Sequence, residues 1–407
     1  MNNYGSAAKT KPSLRFPGFT NSWEYKKLGT LAKRSSDKNK TSSAVMVLTN
    51  SAVRGVVPQS DFFNKEIAVQ GNLSNYRKVQ LDDFVYNPRI SISSPVGPFK
   101  RNHYGEGVMS PLYTIYRFNN SENLDFFETF FSTNKWHKYM KSVANYGARH
   151  DRMAISSTDL DGIPLPYPVQ SEQVKIAKLF KIIDAKVELQ SNKIKKLNEY
   201  KKGVMQSIFS QQARFKDDHG NNYPNWQLHK AGSIFKNLSN KNHNGELPVL
   251  AVTQDRGIVR RDSLAKKIDS SQEGINNYKI IEPGDFVISL RSFQGGIEMS
   301  KVRGISSPAY TVFRQNDNTE VYPDFFRFYF KKESFISQLS GAVVGIREGK
   351  QISYSVFADI QIPIPTLEEQ KKISQFLSTI DKKIDLEKSV YKHIKNFRKI
   401  LLQEMYA

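Results

Sequence analysis

The side chains that usually perform catalysis are sparse in this sequence. The 407 residues include no cysteine, which excludes disulfides, thiolate metal sites and cysteine nucleophiles. The seven histidines are scattered, and His150 has only Asp151 beside it, a neighbour pair that is more often incidental than catalytic. No GxGxxG, GxxxxGK[ST] or HExxH pattern is present, so nucleotide-cradling loops and helical zinc sites are not indicated. We therefore expect no catalytic residue, no metal site and no cofactor in this chain.

The two carboxylates in the matching strings DFV and GDFV, Asp83 and Asp285, are the remaining candidates for acid–base chemistry. Each stands immediately before an apolar, strand-like run. Aspartate at such a position commonly accepts hydrogen bonds from its own turn. We therefore expect both residues to shape a turn that enters a strand.

The basic residues indicate binding instead. Sixty Lys and Arg against 39 Asp and Glu give a net charge of +21, which favours polyanions, with nucleic acid ahead of an anionic membrane surface. Many basic residues fall in predicted loops, where recognition side chains usually lie. The candidate nucleic-acid-contacting residues are Arg54, Arg89, Arg101, Arg149, Arg152, Arg256, Arg291, Arg303, Arg347 and Lys350.

No apolar run approaches 18 residues, and the first 30 residues lack the apolar core of a signal peptide. These patterns predict a soluble, cytoplasmic protein without a membrane-spanning helix.

The elements that would position these residues occur twice along the chain. Trp23 and Trp226 begin similar segments at an offset of 203 residues, and further matches follow in the same order. The matched segments are WEYKKLGTLAK with WQLHKAGSIFK, YRKVQLDDFV with YKIIEPGDFV, GVMSPLYTIYRFN with GISSPAYTVFRQN, and IPLP with IPIP. Each copy has the size of a domain. We therefore predict two related globular domains, each mixing short strands with a few helices.

A long charged segment with a seven-residue apolar repeat follows each copy, over residues 169–210 and 366–407. Such a repeat predicts a helix that pairs with another helix through a narrow seam. At 1.5 Å per residue, each helix would be roughly 60 Å long. The predicted pairing residues are Ile176, Phe180, Ile183, Val187, Ile194, Leu197, Ile373, Leu377, Ile380, Ile384, Tyr391 and Ile394. An antiparallel pair within one chain is the expected arrangement, and homodimerisation through separate coiled coils is the alternative.

The predicted organisation is a mixed α/β protein. An N-terminal tail (1–13) precedes globular domain one (14–168), long helix one (169–210), a polar linker (211–221), globular domain two (222–365) and long helix two (366–407). Within the globular domains, NLDFFETFFSTNKWHKYMKSV and YPDFFRFYFKKESFISQLSG each predict one amphipathic helix.

This layout resembles the specificity subunit of type I DNA restriction–modification systems over residues 14–407. The motifs that carry the resemblance are FPGFTNSWEYKKLG, GDFV, the IPxP string before each helix, and KKGVMQSIF. The resemblance implies two target recognition domains with approximate twofold symmetry. Each would read one half of a bipartite DNA site, at a spacing that the antiparallel coiled coil sets.

The resemblance also implies partners. Two modification subunits would supply adenine methylation from S-adenosylmethionine, and two restriction subunits would supply ATP- and magnesium-dependent translocation and cleavage. The chain itself would be non-catalytic and associated with the bacterial nucleoid. Because the loops of the two copies differ, the half-sites should differ and the target should be asymmetric. An enzyme, and a stand-alone RNA-binding or coiled-coil scaffold protein, remain as alternatives.

Overall fold

The computed structural model describes residues 11–40, 46–61, 70–145, 151–253, 256–264, 272–288, 297–341 and 352–406. The chain divides into two compact units, residues 1–191 with 389–407 and residues 192–388. Each unit therefore contains one copy of the repeat together with parts of both long helices. This division differs from the predicted domain boundaries because residues at the C-terminal end of the chain, such as Tyr406, belong to the core of the first unit.

The first unit is built around antiparallel strands. They are β1 (Glu24–Lys27), β2 (Ala32–Ser35), β3 (Leu48–Ser51), β4 (Gly55–Pro58), β5 (Arg77–Val79), β6 (Phe84–Tyr86), β7 (Phe99–Arg101), β8 (Gly107–Met109), β9 (Thr114–Phe118) and β10 (Pro164–Tyr167). A four-stranded sheet has the order β2-β9-β6-β7, and smaller pairs join β3 to β4, β5 to β8 and β1 to β10. Its helices are α1 (Leu28–Leu31), α2 (Leu124–Phe131), α3 (His137–Val143), α4 (Ser157–Asp161) and the long α5 (Gln170–Phe209), with a 3₁₀ turn at Gln70–Asn75.

The second unit repeats this plan. Its strands are β11 (Gln227–Lys230), β12 (Phe235–Leu238), β13 (Leu250–Thr253), β14 (Gly257–Arg260), β15 (Lys279–Ile281), β16 (Phe286–Ile288), β17 (Glu298–Met299), β18 (Gly304–Ser306), β19 (Thr311–Gln315) and β20 (Gln361–Ile364). The sheet order is β12-β19-β16-β17, with pairs β13–β14, β15–β18 and β11–β20. Its helices are α6 (Ala231–Ile234), α7 (Gln272–Ile275), α8 (Pro323–Tyr329), α9 (Glu333–Gly341), α10 (Tyr354–Ala358) and the long α11 (Leu367–Met405), with a 3₁₀ turn at Arg261–Ser263. The predicted mixed α/β duplication is thus confirmed.

An aromatic core holds each sheet against its helices. In the first unit, Phe99 of β7 packs edge-on against Phe131 of α2, with ring centroids 4.1 Å apart. In the second unit, Phe313 of β19 lies 4.3 Å from Phe357 of α10. Buried aromatic side chains remove large apolar areas from water, so they dominate the stability of such small sheets.

The prediction of one amphipathic helix after each sheet is wrong, because two short helices stand at each place. In the first unit, Ser132 and Thr133 interrupt the segment between α2 and α3. Their hydroxyls donate to the carbonyl oxygens of Glu128 (3.1 Å) and Phe130 (2.7 Å). These bonds satisfy carbonyls that a continuing helix would have used. In the second unit, α8 ends at Tyr329 and α9 begins at Glu333.

The predicted turn at the matched aspartates is present in both units. The Asp83 carboxylate accepts the backbone N–H of Gln80 at 2.8 Å, and that of Asp285 accepts the N–H of Glu282 at 2.7 Å. The preceding residue has a positive φ in each copy, 68° at Asp82 and 93° at Gly284. A left-handed residue closes the turn and directs the chain into β6 or β16.

The long helices pair in antiparallel fashion. In the first unit, Phe180 near the start of α5 shares a buried cluster with Met405 at the end of α11. In the second unit, Ile208 near the end of α5 shares a cluster with Ile373 near the start of α11. The helices therefore run in opposite directions within each unit. The pairing is intramolecular, as expected from the two matching heptad repeats.

Candidate nucleic-acid interface

A buried Trp–Glu–Arg cluster anchors the start of α5 in the first unit. Glu172, in the first turn of α5, accepts hydrogen bonds from the Trp23 indole (3.1 Å) and from Arg15 Nε (2.8 Å) and Nη2 (2.7 Å). Its side chain is 1% exposed. A carboxylate in the first turn also complements the positive end of the helix dipole. The next residue, Gln173, donates to the Pro168 carbonyl oxygen at 2.9 Å.

The same cluster recurs in the second unit. Glu369, in the first turn of α11, accepts the Trp226 indole N–H at 2.9 Å and the Arg214 guanidinium at 2.9 and 3.3 Å. Gln370 donates to the Pro365 carbonyl oxygen at 2.9 Å. Arg214 lies in residues 211–221, which the sequence predicts to be a linker. This segment therefore supplies part of the packing around the start of α11.

The predicted pairing residues lie at graded depth along the helices. Ile176, Phe180, Ile183, Ile373, Leu377, Ile380 and Ile384 are buried, whereas Val187, Ile194, Leu197, Tyr391 and Ile394 are half-buried. Burial is deepest where the helices meet a globular core and least in the middle of each helix. A two-helix seam without a third layer leaves its flanks in water.

Charged residues occupy equivalent places beside the seam. In the first unit, Arg398 of α11 pairs with Asp184 of α5. In the second unit, Lys201 of α5 pairs with Asp381 of α11 at 2.5 Å. Arg398 and Lys201 are the matched polar positions of the two heptad series, so each interrupts an apolar seam in the same way. Such positions favour one register of a helix pair at some cost in stability.

The predicted DNA-contacting residues Arg54 and Arg256 occupy the same hairpin turn in their respective units. Arg54, between β3 and β4, donates its backbone N–H to Ser51 Oγ at 3.2 Å. Arg256, between β13 and β14, donates its backbone N–H to Thr253 Oγ1 at 3.1 Å. Both side chains are exposed. The Arg54 guanidinium donates to the Asp61 carbonyl oxygen at 2.7 Å.

Arg89 and Arg152 are brought together in the first unit, because their backbones form an antiparallel bridge. Arg89 is exposed, and Arg152 is half-buried with Asp151 3.5 Å away. In the second unit, Arg303 is exposed and pairs with Glu282 at 3.0 Å. Arg149, Arg291, Arg347 and Lys350 lie outside the described residues.

Arg101 has a different environment from the other candidates. Its side chain is 12% exposed, and its guanidinium lies 2.7 Å from Asp82, 2.5 Å from Asp125 and 3.5 Å from Glu128. A cation held by three carboxylates would have to exchange them for a phosphate. Its ion pairs with Asp125 and Glu128 join β7 to α2.

The second unit contains a cleft lined by charged side chains of both signs, of which the sequence predicted only Arg256. The cleft has a volume of about 510 Å³ and lies between β14, β17 and α8 on one side and the paired helices on the other. Its lining includes the cations Lys301, Lys382, Arg327 and Lys331 and the carboxylates Glu298, Asp381 and Asp385. Burial raises the pKa of Glu298, and the neighbouring Lys331 opposes that shift. These cations come from elements far apart in sequence, so no local pattern could have grouped them.

An apolar stripe on the outer side of the helices was also missed. In the first unit, Ile182 and Leu189 of α5 are 58% and 70% exposed, and Val390, Phe397 and Ile400 of α11 are 37%, 56% and 56% exposed. Each residue comes one position before a seam residue. Equivalent positions of an antiparallel pair lie on the same side, so the five side chains form one face. A second heptad phase, displaced by one residue, was the signal for it.

Within the described part of the chain, no group of three or more His, Asp or Glu residues could hold a metal ion. The same ranges contain no helix with the length and apolar character needed to cross a membrane. The exposed cations at equivalent turns of the two units are the guanidinium groups of Arg54 and Arg256, and guanidinium groups suit binding to phosphates.

A family model described as the type I restriction modification DNA specificity domain matches residues 21–199 and again 226–396. Two curated proteins of Methanocaldococcus jannaschii are similar. The putative type I restriction enzyme MjaX specificity subunit is 25% identical over 285 residues, covering 65% of this chain and 64% of that protein. The MjaVIII specificity subunit is 25% identical over 263 residues, covering 60% and 61%. Each match spans less than two thirds of the relative's length.

Solved structures share the fold. A chain from a report on complex assembly and conformational transition of the type I R-M system has a TM-score of 0.57 at 16% identity, covering 96% of this chain and 98% of that one. The type I restriction-modification S subunit from M. genitalium has a TM-score of 0.56 at 14% identity, covering 98% and 99%. At these identities the likeness establishes the fold.

Proposed function

The chain belongs to the type I restriction modification DNA specificity family, and on that premise we propose that it is the DNA-reading subunit of a type I restriction–modification complex. Each globular domain reads one half of a bipartite site, and this chain performs no catalysis. The observation that carries the proposal is the double match, in which both copies of the repeat fit the same DNA specificity model. The net charge of +21 supports a nucleic-acid partner.

The proposed DNA contacts divide into two kinds. Arg54 and Arg256 occupy equivalent turns, so we assign them to phosphates, which look the same at every site. Arg89 has the counterpart Arg291 in the second copy of the sequence, so we assign it to phosphates as well. Arg152 and Arg303 lie on surfaces that differ between the two units and can contribute to base reading. From sequence alone, we keep Arg149, Arg291, Arg347 and Lys350 in the proposed interface. Arg101 is not included, because three carboxylates surround it.

The proposed half-sites are different and separated by a spacer that the helix pair sets. The framework is duplicated, but the loops are not, as SSPVGPFKRNHYGEG and RSFQGGIEMSKVRG illustrate. Different loops present different donors and acceptors to base edges, so two copies of one framework can read two sequences. Helices of about 60 Å are long enough to hold two readers about one DNA turn apart, near 34 Å.

The proposed catalytic partners are two modification subunits, which would bring S-adenosylmethionine chemistry to adenine, and two restriction subunits, which would bring ATP and magnesium. The apolar stripe of Ile182, Leu189, Val390, Phe397 and Ile400 supports one docking site. An exposed apolar face on a helix pair suits additional helices. We assign it to a modification subunit, the partner that must remain bound during methylation.

The test of the DNA-reading role is co-expression of the chain with a type I modification subunit, followed by mapping of adenine methylation across a genome. One bipartite, asymmetric motif is expected. Identical inverted half-sites would contradict the proposal of two different readers, and methyl transfer by the chain alone would contradict the non-catalytic role.

Arg54→Ala should weaken binding to all sequences and reduce the slope of log affinity against log salt by about one.

The docking face is tested by co-purification. Phe397→Asp should abolish recovery of the modification subunit, because it places a charge in an apolar interface. Asn396→Asp adds the same charge at an exposed position outside the stripe and should leave recovery unchanged. Normal recovery with Phe397→Asp would remove the stripe from the proposed interface.

A further inference from the structure

Residues 87–98, the loop between β6 and β7, are closed tightly at their base. The backbone N–H of Asn87 donates to the Pro98 carbonyl oxygen at 2.9 Å. Gly97 has a φ of 81°, and a Cβ at this residue would lie 2.1 Å from the Asn87 carbonyl oxygen. No other residue type fits there without moving the backbone. The two ends of the loop are therefore held at a fixed separation where the loop leaves the sheet; this closed base is called the neck below.

Two buried amides hold that neck. Asn50 donates through Nδ2 to the carbonyl oxygens of Val85 (2.7 Å) and Pro98 (3.2 Å). Asn87 donates through Nδ2 to the Asn50 carbonyl oxygen at 3.0 Å, and its Oδ1 accepts the backbone N–H of Arg89 at 3.0 Å. Buried, satisfied amides of this kind restrain the backbone strongly. They also join the loop to β3, which leads to the Arg54 turn.

A neighbouring segment supports the loop from another side. The backbone N–H of Ile90 donates to the Asp151 carbonyl oxygen, and that of Met153 donates to the Pro88 carbonyl oxygen, both at 3.0 Å. Farther out, Ser91 and Ser94 exchange backbone hydrogen bonds of 3.0 and 3.1 Å. The loop is thus hydrogen-bonded along its length and needs little ordering when it binds.

Ile92 stands at the tip of this rigid loop. It is 105% exposed, the highest value among the large apolar side chains of the described residues. Val96 of the same loop is fully buried and Ile90 is half-buried. The loop contains no carboxylate, and the exposed Arg89 lies three residues before the tip. The rigid loop thus presents the apolar side chain of Ile92 close to the exposed cation Arg89. This combination is suited to contact an apolar group on a polyanion.

We propose that Ile92 is a specificity-determining residue that packs against the C5 methyl group of a thymine in the major groove. This inference rests on the proposed DNA-reading function. Phosphates and sugars are polar and give an isoleucine side chain little apolar surface to pack against. The thymine methyl is the apolar group that is exposed in the major groove. The tip reads that base, and Arg89 holds the adjacent backbone.

The second copy of the sequence supports this division. Through β6 the two copies align at an offset of 202 residues, so Arg89 corresponds to Arg291. At β7 the offset is 198, because Arg101 lies opposite Phe84 and Met299 lies opposite Phe286. The second copy therefore has four fewer residues between these positions, and its tip differs in length from the one that presents Ile92. A shared arginine suits the phosphate backbone, which is common to all sites, whereas a tip that differs between the copies suits base reading at one half-site only.

The experiment uses the full chain in complex with its modification subunit. Once methylation mapping has defined the site, each thymine of a duplex containing it is replaced in turn by deoxyuridine, which lacks only the methyl group. Affinity is measured by fluorescence anisotropy. Wild type should lose about three- to fivefold at one thymine, as expected for one buried methyl group. Ile92→Ala should weaken binding to the intact site and lose its sensitivity to deoxyuridine at that position.

The matched control is Leu81→Ala, which truncates an exposed apolar side chain at the opposite end of β6. It should retain both the affinity and the deoxyuridine effect. If Ile92→Ala keeps the wild-type sensitivity at every thymine, or if neither half-site contains a thymine, the inference is wrong. Ile92→Ala could instead reduce recovery of the modification subunit and leave the effect of deoxyuridine on affinity unchanged. That result would show that Ile92 contacts the modification subunit and not the DNA. A wild-type complex without sequence-specific binding would instead refute the proposed function itself.

Discussion

The two units share a buried framework but differ in the charges between strand and helix. The Trp–Glu–Arg cluster is the same in both, with Glu172 or Glu369 accepting from one indole and one guanidinium. The turn aspartates also keep equivalent partners, since Asp83 binds Arg117 and Asp285 binds Arg314. Each of these carboxylates is almost fully buried. A buried charge without its partner is costly, which accounts for both copies keeping the carboxylate together with its cation.

The strand–helix ion pairs follow another pattern. In the first unit, the cation Arg101 is on β7, opposite Phe84, and the carboxylates it binds include Glu128 of α2. In the second unit, the equivalent strand position is Met299, opposite Phe286. The strand now supplies the carboxylate, since Glu298 of β17 binds Lys331 just after α8. Arg327 of α8 instead binds Asp324 of the same helix and Asp381 of α11. Ion pairs nearer the surface therefore differ in their residues between the two units, although each cation keeps a carboxylate partner. The distribution of charge on the surface of each unit differs as a result.

The largest effect should come from breaking the shared framework. Glu172→Ala and Glu369→Ala each leave a buried indole N–H without its acceptor and leave a half-buried guanidinium with only a backbone carbonyl oxygen, that of Asn21 or Pro224. Each should therefore lower the free energy of unfolding of its unit by about 3 kcal/mol. Urea unfolding followed by tryptophan fluorescence measures this loss. Glu188→Ala, at an exposed position of α5, is the control and should change stability by less than about 0.5 kcal/mol. A large loss in one unit and none in the other would show that the two clusters are not equivalent.

A smaller effect should come from replacing Arg101 of the first unit with methionine, the residue found at the equivalent position 299 of the second unit. Arg101→Met leaves Asp82, Asp125 and Glu128 close together without their cation, and the loss of its charged hydrogen bonds should cost about 2 kcal/mol. Arg260→Met, which removes an exposed pair with Asp262, is the control and should change stability much less, because solvent screens that pair.

The same variant tests the assignment of Arg101 to the framework. Because its side chain is largely buried, Arg101→Met should leave the affinity of the assembled complex for its DNA site unchanged. A lower affinity for all sequences, together with a smaller slope of log affinity against log salt concentration, would return Arg101 to the DNA interface.

Sequence reasoning recovered the features that repeat along the chain. The duplication, the heptad seam and the turns at Asp83 and Asp285 each depend on neighbouring residues, so a local pattern contains most of the information. Arg15 illustrates what was missed, because its partner Glu172 is 157 residues away. No local spacing connects the two residues.

The choice among the basic residues could not be made from sequence for the same reason. Arg54 and Arg101 look alike in the sequence, yet one is exposed on a hairpin turn and the other is enclosed by carboxylates from two elements. Composition predicts how many cations a surface has available. Only the tertiary structure determines which of them already have partners.

The break between α2 and α3 escaped prediction because Ser132 and Thr133 satisfy the helix-terminal carbonyls with side chains that are also tolerated within helices.

The smallest effect should appear as a pH dependence confined to the first unit. His103 binds Glu128 at 2.7 Å, and the hydrogen bond to that carboxylate raises the pKa of His103 above 6.5. A raised pKa in the folded state gives stability that is fully present below pH 6.5 and is lost as the pH rises through the folded-state pKa. In the second unit, the position equivalent to His103 is Lys301, and Arg327 replaces the carboxylate. His103 should therefore raise the urea midpoint of the first unit slightly more at pH 6 than at pH 8, by an amount limited by the 60% exposure of the imidazole. Burial lowers the pKa of His137 in the same unit, and this acts in the opposite direction. His103→Gln should reduce that difference, and an unchanged pH dependence would assign it to other groups.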